Sequence, residues 1–273
     1  MGQQPADSAR IDPLSRAKAL YGQLTPESTL LARELLEKAV VDAAAADRGW
    51  LAESWALLAD ILTCDYLNRW NGAAAAELAR AEQAADQALR IEPELPLAHY
   101  AYGFIFRAKG EHEAALAAFA RTIELNPDFV RAYAQKANEL MYLGRLDEVQ
   151  PLVETAIRRT PPGSLALGMF YWIIGRAWFF AGRYAEAIAW LRQSVEVRPN
   201  LWYNRLYLVS AYALTGDAEN AAKALQEFDE TFPGYTLARV AQNERTNPNH
   251  RAVVVDGRRK LHQGLLEAGL QTG

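Results

Sequence analysis

The 273-residue sequence lacks the cysteine pairs of a disulfide-bonded secreted protein and the excess of Lys and Arg of a nucleic-acid-binding protein. Its single cysteine, Cys64, cannot form an internal disulfide, and residues 1–20 carry charges in place of the apolar segment of a signal peptide. The net charge is only -4, which excludes a strongly basic chain. These absences predict a cytoplasmic protein that has no nucleic acid as its partner.

Motifs of catalysis and of metal or cofactor binding are also missing. The four histidines have no second ligand at metal spacing, and there is neither a glycine-rich phosphate loop nor a G-x-S-x-G turn. His112 follows Gly110 in a predicted turn, where we interpret it as a solvated residue. The sequence therefore predicts that the chain is not an enzyme and has no catalytic residues, no metal and no cofactor.

One apolar stretch, residues 165–181, is long enough to raise the question of a membrane span. Arg176 divides it, so that it falls short of about 18 uninterrupted apolar residues. We predict a buried helix here and no membrane as a partner.

Glycine, proline and small residues recur at fixed intervals along most of the chain. The intervals are 34 or 38 residues, and three separate sets of positions share the same register. Such a period is typical of a repeat protein. The three sets are Gly110, Gly144, Gly182 and Gly216; Pro93, Pro127, Pro161, Pro199 and Pro233; and Ala81, Ala115, Val149, Ala187 and Ala221.

Each repeated unit has the apolar period of two helices. Apolar residues recur at i, i+3, i+4 and i+7, the glycine ends the first helix and the proline closes the second. Four extra residues, Ser164–Leu167, amount to about one helical turn and predict a longer first helix in the fourth unit. About ten extra residues at 66–75 predict an extended hairpin tip in the first unit.

The pattern W-x2-L-A-x2-L that begins at Trp55, with the glycine, small and proline positions, resembles the tetratricopeptide repeat (TPR). Residues 96–129 match it best, and the resemblance covers residues 50–235 in five repeats. It implies an all-α fold, a right-handed TPR solenoid of antiparallel helical hairpins.

The ends of such a stack need caps, because they would otherwise expose an apolar face. Thr25 and Pro26 are typical of a helix start, although Ser28 stands where a capping box has Glu or Gln. Near the other end, residues 247–249 break a helix and residues 253–268 resume one. The predicted organisation is a flexible N-terminal tail (1–20), an N-terminal capping helix (21–49), five TPR-like repeats (50–235) and C-terminal capping helices with a tail (236–273).

The flanking segments carry a second resemblance. The stretch YGQLTPESTLLARELLEKAV from Tyr21, and the residues Gly264–Leu270, are similar to the edges of the TPR segment of bacterial class III adenylate/guanylate cyclases and winged-helix regulators. In those proteins a catalytic or DNA-binding domain precedes the repeats, and residues 1–20 are too short to form one. The resemblance implies a bacterial sensory or interaction module without its effector domain.

The face of each first helix opposite its buried stripe carries aromatic and arginine residues where a solvated face would carry Lys and Glu. The TPR resemblance implies that this face lines a concave groove, and rings and guanidinium groups are common in binding sites. Packing of some rings against a neighbouring repeat or a C-terminal helix folded into the groove stays an alternative. The predicted groove-binding residues are Tyr100, Phe104, Arg107, Arg131, Gln135, Asn138, Trp172, Arg176, Phe179, Tyr203 and Tyr207.

Two functions follow from this groove. The first is a non-catalytic protein–protein interaction scaffold that binds a peptide segment or a partner protein in the concave groove. The second is a small-anion-binding sensory or regulatory module, with a ligand held by two arginines and two amides, Arg131, Arg176, Gln135 and Asn138. Self-association of the chain stays open.

Overall fold

The structure is a computed structural model that describes residues 12–42, 47–68, 70–72, 75–244 and 251–273. Within these ranges every regular element is a helix and there is no strand, which confirms the all-α fold. The chain divides into two compact units, Met1–Lys109 and Gly110–Gly273. The two helices of the second predicted repeat thus belong to different units.

The described part of the first unit contains five helices, in which α3 packs against α2, α4 and α5, and α1 packs against α2 and α3. Helix α1 begins at Pro13 with Asp12 as its N-cap, and it lies in a segment that was predicted to be a flexible tail. For residues 13–20 that prediction is wrong. The helices are α1 (Pro13–Tyr21), α2 (Pro26–Val41), α3 (Arg48–Asn68), α4 (Ala75–Ile91) and α5 (Pro96–Ala108).

Helix α2 begins at the predicted position with a complete capping box. The Ser28 amide donates to Thr25 Oγ1 at 3.1 Å, and the Thr25 amide donates to Ser28 Oγ at 3.1 Å, so the serine does what Glu or Gln does elsewhere. The predicted hairpin tip lies between α3 and α4. There Asn71 has a left-handed backbone and its Nδ2 donates to Pro26 O at 3.0 Å, which holds the tip against the start of α2.

The second unit continues the hairpins and adds two C-terminal helices. A short 3-10 helix, Leu146–Glu148, precedes α8. Helix α9 has 15 residues where α7 and α11 have 13, so the first helix of the fourth unit is longer, but by two residues and not by the full turn that four extra residues would give, because Ser164 and Leu165 precede the helix. The break predicted at 247–249 lies outside the described residues. The helices are α6 (His112–Leu125), α7 (Val130–Tyr142), α8 (Val149–Arg158), α9 (Ala166–Phe180), α10 (Tyr184–Val197), α11 (Trp202–Leu214), α12 (Ala218–Thr231), α13 (Leu237–Glu244) and α14 (Ala252–Ala268).

The small residues of the repeat let the two helices of a hairpin approach closely. A Cβ atom added to Gly175 in α9 would lie 2.8 Å from Leu191 Cγ and 3.2 Å from the Leu191 amide nitrogen in α10. The glycines that end first helices, Gly144, Gly182 and Gly216, all have left-handed backbones with φ of 83°, 76° and 79°. Gly175 therefore lies where a side chain would not fit, and Gly144, Gly182 and Gly216 lie where the chain needs a positive φ.

Asp12 makes the start of α1 sensitive to acid. Its carboxylate accepts hydrogen bonds from the amides of Leu14 and Ser15 at 3.0 and 3.1 Å and from Trp50 Nε1 at 3.1 Å. Hydrogen bonding by the Ser15 side chain is the largest cause that lowers the pKa of Asp12 to about 2, followed by the bonds from the Trp50 side chain and from the amides of Ser15 and Leu14. Because the unfolded chain protonates this group first, its contribution to stability is present above about pH 4 and is lost between about pH 4 and 2.

We expect Asp12→Ala to lower the free energy of unfolding by about 1 kcal/mol at pH 7 and by much less at pH 2.5. Denaturant unfolding at the two pH values measures this difference. Asp12→Asn is the control, because an amide oxygen still caps the helix but does not titrate. An equal loss at both pH values for Asp12→Ala would show that the carboxylate does not cap α1.

Candidate functional site

Three predicted groove residues lie in the first unit, on one face of α5. Tyr100 is buried and its ring meets the half-buried ring of Phe104 edge-on, with centroids 5.1 Å apart. The guanidinium carbon of Arg107, which is also buried, lies 4.9 Å from the Phe104 ring centroid. The spacing of i, i+4 and i+7 therefore builds a continuous stack of ring, ring and guanidinium along α5.

The arginine and amide residues predicted to converge do so in part. Arg176 Nη2 of α9 donates to Asn138 Oδ1 of α7 at 2.6 Å, and Asn138 Nδ2 donates to Gln135 Oε1 at 3.3 Å. Arg131 lies at the exposed start of α7, with its guanidinium 5.3 Å from the Phe129 ring centroid. Arg176 and the two amides thus form one buried or half-buried chain of polar groups between adjacent repeats.

The aromatic residues predicted on α9 and α11 form one cluster. Trp172 and Tyr203 are half-buried with ring centroids 4.5 Å apart, whereas Phe179 and Tyr207 are buried and 5.1 Å apart. The guanidinium of Arg176 lies 4.1 Å from the Trp172 ring centroid. Burial raises the pKa of Tyr203 to about 12, so its phenol stays neutral at physiological pH.

Helix α14 covers part of the face on which these residues lie. It packs against α9, α11, α12 and α13. A Cβ atom added to Gly257 would lie 2.5 Å from the Phe180 ring, and one added to Gly264 would lie 2.6 Å from the backbone oxygen of Ser210. Ser210 Oγ also donates to Lys260 O at 3.3 Å. In the second unit a C-terminal helix thus packs onto this face, as the alternative prediction had it. Phe179 and Tyr207 belong to the hydrophobic core of that unit.

A cavity of about 150 Å³ remains between this face and the C-terminal helices. Arg176 is only 7% exposed, yet its Nε has no hydrogen-bond partner among the described residues. The same holds for Trp172 Nε1 and Glu244 Oε1, whereas Glu244 Oε2 lies 3.1 Å from His262 Nε2. The lining residues are Tyr142, Trp172, Arg176, Phe180, Trp202, Tyr203, Tyr207, Glu244, Val254 and Arg258.

Six of these lining residues were not predicted. Tyr142 and Phe180 occupy the same repeat position at the end of α7 and α9, on the face that the period assigns to the groove, so the signal was present. Trp202 begins α11 one residue before Tyr203. Glu244, Val254 and Arg258 come from α13 and α14, which lie outside the repeats and carry no register that would place them.

His112 differs from its predicted role. It begins α6 as a buried residue, and its Nδ1 lies 2.8 Å from Oε2 of Glu139, which is fully buried in α7. The Tyr142 ring is 5.2 Å away. The interpretation of His112 as a solvated turn residue is wrong, because α7 covers it.

The described ranges lack two further features. In those ranges no group of three or more His, Cys, Asp or Glu residues is arranged to hold a metal ion. None of the helices there combines the length and the apolar character that crossing a membrane requires.

Family models identify the repeats directly. Models of the tetratricopeptide repeat match residues 97–129 and 135–201, which confirms this part of the resemblance. Human tetratricopeptide repeat protein 13 is 31% identical over 144 residues, 51% of this chain and 16% of its own length. DnaJ homolog subfamily C member 3 of Bos taurus is 32% identical over 88 residues, 32% of this chain and 18% of its own length. The chain thus spans less than a fifth of either relative.

Solved structures share the fold at low identity. PilW, a type IV pilus biogenesis factor, aligns with a TM-score of 0.58 and 15% identity over 77% of this chain and 91% of its own. PilF of Pseudomonas aeruginosa aligns with a TM-score of 0.57 and 16% identity over 79% and 91% of the two chains. A thermophilic TPR protein of Thermus thermophilus aligns with a TM-score of 0.54 and 18% identity over 73% of this chain and 96% of its own. These likenesses support a TPR-like helical solenoid.

Proposed function

We propose that the chain is a non-catalytic interaction module that binds a segment of a partner protein. Tetratricopeptide repeats generally act as protein-interaction scaffolds. The observation that carries the proposal is the half-buried pair Trp172 and Tyr203, which lies beside the Arg176 guanidinium. Trp172 belongs to the first half of α9, and Tyr203 lies near the start of α11.

The binding surface is the part of the second unit's face that α14 leaves uncovered. Helix α14 approaches Phe180 at the end of α9 and Ser210 in the second half of α11. The first halves of α7 and α9 keep an exposed Arg131, a half-buried Gln135 and a half-buried Trp172. Rigid rings next to amide and guanidinium donors suit a peptide, because they bury apolar area and also bind its carbonyl or carboxylate oxygens.

A displayed peptide library selected against the whole chain tests this proposal. Trp172→Ala and Tyr203→Ala should each weaken binding of a selected peptide by about 30-fold, as loss of an anchor of about 2 kcal/mol does. Arg131→Ala should mainly lower the association rate and the salt dependence.

The matched control is Trp190→Ala, which removes a half-buried tryptophan from α10, where its ring lies 5.8 Å from Tyr171. This variant should bind like the wild type. Selected peptides that bind Trp172→Ala and Tyr203→Ala with wild-type affinity would contradict the proposed surface. A selection that yields no specific peptide would contradict peptide binding itself.

The finer assignments from the sequence stay predictions. They are the relation to the repeat segments of cyclases and winged-helix regulators, a bacterial source, a cytoplasmic location and the absence of catalysis. The small-anion-binding module with Arg131, Arg176, Gln135 and Asn138 also stays a prediction.

A further inference from the structure

The rings of the proposed binding surface continue into a row that ends at an exposed arginine. The ring centroid of Tyr203 lies 5.4 Å from that of Trp202, which in turn stacks 5.7 Å from that of Tyr235. The guanidinium of Arg239 lies 4.6 Å from the Tyr235 ring centroid, and this arginine is exposed. Trp172, Tyr203 and Trp202 are half-buried and line one cavity, so each keeps accessible surface. The four rings of Trp172, Tyr203, Trp202 and Tyr235 form an aromatic row.

A second arginine, Arg198, is held beside the aromatic row. It is the C-cap of α10, where its amide donates to Ser194 O at 2.9 Å and its carbonyl oxygen accepts from Nδ2 of the buried Asn204 at 3.1 Å. A Cβ atom added to Gly168 in α9 would lie 2.6 Å from Arg198 Cγ, so the aliphatic part of this side chain lies against α9 where glycine leaves room. Gly168 is one turn before Trp172 on the same side of the helix.

The charges that act on the phenol of Tyr203 come from arginines. Burial raises the pKa of Tyr203 to about 12, and the positive charges of Arg198 and then Arg176 oppose this rise. Tyr212, on the opposite side of α11, differs, because carboxylates as well as an arginine lie near its phenol. The electrostatic potential at the aromatic row therefore favours an anionic group.

The two arginines at the aromatic row also lack the usual partner. Neither Arg198 nor Arg239 makes an ion pair with any residue in the described ranges. Other arginines of the second unit do, with Arg145, Arg159 and Arg183 each pairing with a carboxylate. The guanidinium groups of Arg198 and Arg239 are therefore available to bind a carboxylate of another molecule through two parallel hydrogen bonds.

We propose that the partner segment is acidic, with carboxylate side chains that pair with Arg198 and Arg239 while an apolar residue packs on the aromatic row. The inference rests on the proposed function, because it specifies the segment that the same surface binds. Arg198 and Arg239 then select the sequence of the segment, and the rings supply most of the affinity.

Rings and arginines also occur where proteins bind single-stranded nucleic acid, which stacks its bases on aromatic side chains. The ring planes of the aromatic row are steeply inclined, at 51° between Trp172 and Tyr203 and at 81° between Tyr203 and Trp202. Rings that already pack on one another at such angles offer no series of parallel platforms for successive bases. The geometry therefore favours a peptide.

The peptide library displayed against the whole chain gives the first test. Selected sequences should be several-fold richer in Asp and Glu than the unselected library. Replacement of the acidic residues of one selected peptide by their amides should weaken binding by at least about 10-fold. The affinity of the acidic peptide should also fall as salt is added.

Two variants identify the arginines responsible. Arg198→Gln should weaken the acidic peptide by about 10-fold, and Arg239→Gln by about 3-fold because this arginine is exposed. Both should bind the amide form of the peptide like the wild type. Arg192→Gln is the matched control, since it removes the same charge from an exposed arginine of α10 that has no ion pair in the described ranges, and it should bind like the wild type.

The outcomes separate the inference from the proposed function. Selected peptides that require Trp172 but are not acidic, or that bind Arg198→Gln like the wild type, would overturn the inference and leave the proposed function standing. Equal losses for Arg192→Gln and Arg198→Gln would overturn it too, because net charge alone would then explain the preference. If only a single-stranded oligothymidylate binds, or if no peptide is selected, both are wrong.

Discussion

Replacing Gly264 by leucine is expected to detach helix α14 and to lower the free energy of unfolding by about 4 to 5 kcal/mol. A Cβ atom at this position would lie 2.6 Å from the Ser210 backbone oxygen and 2.9 Å from its Cα, and backbone atoms in the middle of α11 cannot move aside. Detachment would expose Val254, Leu261 and Leu265, each at most 3% exposed in the folded chain, and each contributes about 1.5 to 3 kcal/mol when buried.

Chemical denaturation measures this loss, and limited proteolysis shows whether cleavage moves to residues 251–273. Gln263→Leu adds the same side chain at the neighbouring exposed position of α14, and it should leave stability within about 0.5 kcal/mol. Gly257→Ala should be milder than Gly264→Leu, because its Cβ would meet the ring of Phe180 and not a backbone. Wild-type stability of Gly264→Leu would mean that α14 does not pack closely on α11.

Phe228→Ala in α12 should lower the free energy of unfolding by about 3 to 5 kcal/mol. The Phe228 ring is fully buried, and it lies 5.2 Å from the ring of Phe232 and 5.4 Å edge-on from that of Tyr235. Truncation would leave a cavity at the junction of the last repeat and the C-terminal segment.

Phe232→Ala is the matched control, since this ring is only half-buried at the C-cap of α12 and should cost much less. Urea unfolding of both variants gives the comparison. Equal losses for the two phenylalanines would show that Phe228 is not the packing centre of this junction.

The repeat itself could be predicted from the sequence because its special positions are local. A glycine that ends a helix and a small residue where two helices touch depend on backbone geometry within one hairpin, as Gly182 and Gly175 show. The same logic predicted a longer α9, although only two of the four extra residues, Ala166 and Leu167, belong to the helix.

The cover over the groove could not be predicted in this way. The apolar period of α14 predicts an amphipathic helix, but it does not indicate which of the preceding helices the apolar face packs against. Gly257 and Gly264 are informative only once Phe180 and Ser210 are known to lie opposite. For the same reason the aromatic residues of α9 and α11 read as a binding surface, although Phe179 and Tyr207 are core.

The hydrogen-bond partners of buried polar side chains could not be predicted from the sequence either. Arg176 and Asn138 are 38 residues apart and lie in adjacent repeats. Their hydrogen bond depends on how α7 and α9 are aligned along their lengths, which the sequence period does not give to within one residue. His112 was assigned to solvent from its place after a glycine, whereas its burial depends on Glu139 in the next helix.

The packing of α14 also has a kinetic consequence. In a repeat array each hairpin contacts its neighbours, so closure entropies are small and folding can begin at any repeat. The bond between Ser210 and Lys260 joins residues 50 apart, and α14 reaches α9 as well as α11. Docking of α14 therefore forms contacts between residues far apart in sequence, and it requires that α9 and α11 have already folded. Refolding of Gly110–Gly273 within the whole chain should therefore end with a separate phase in which α14 closes, and that phase should vanish in Gly264→Leu.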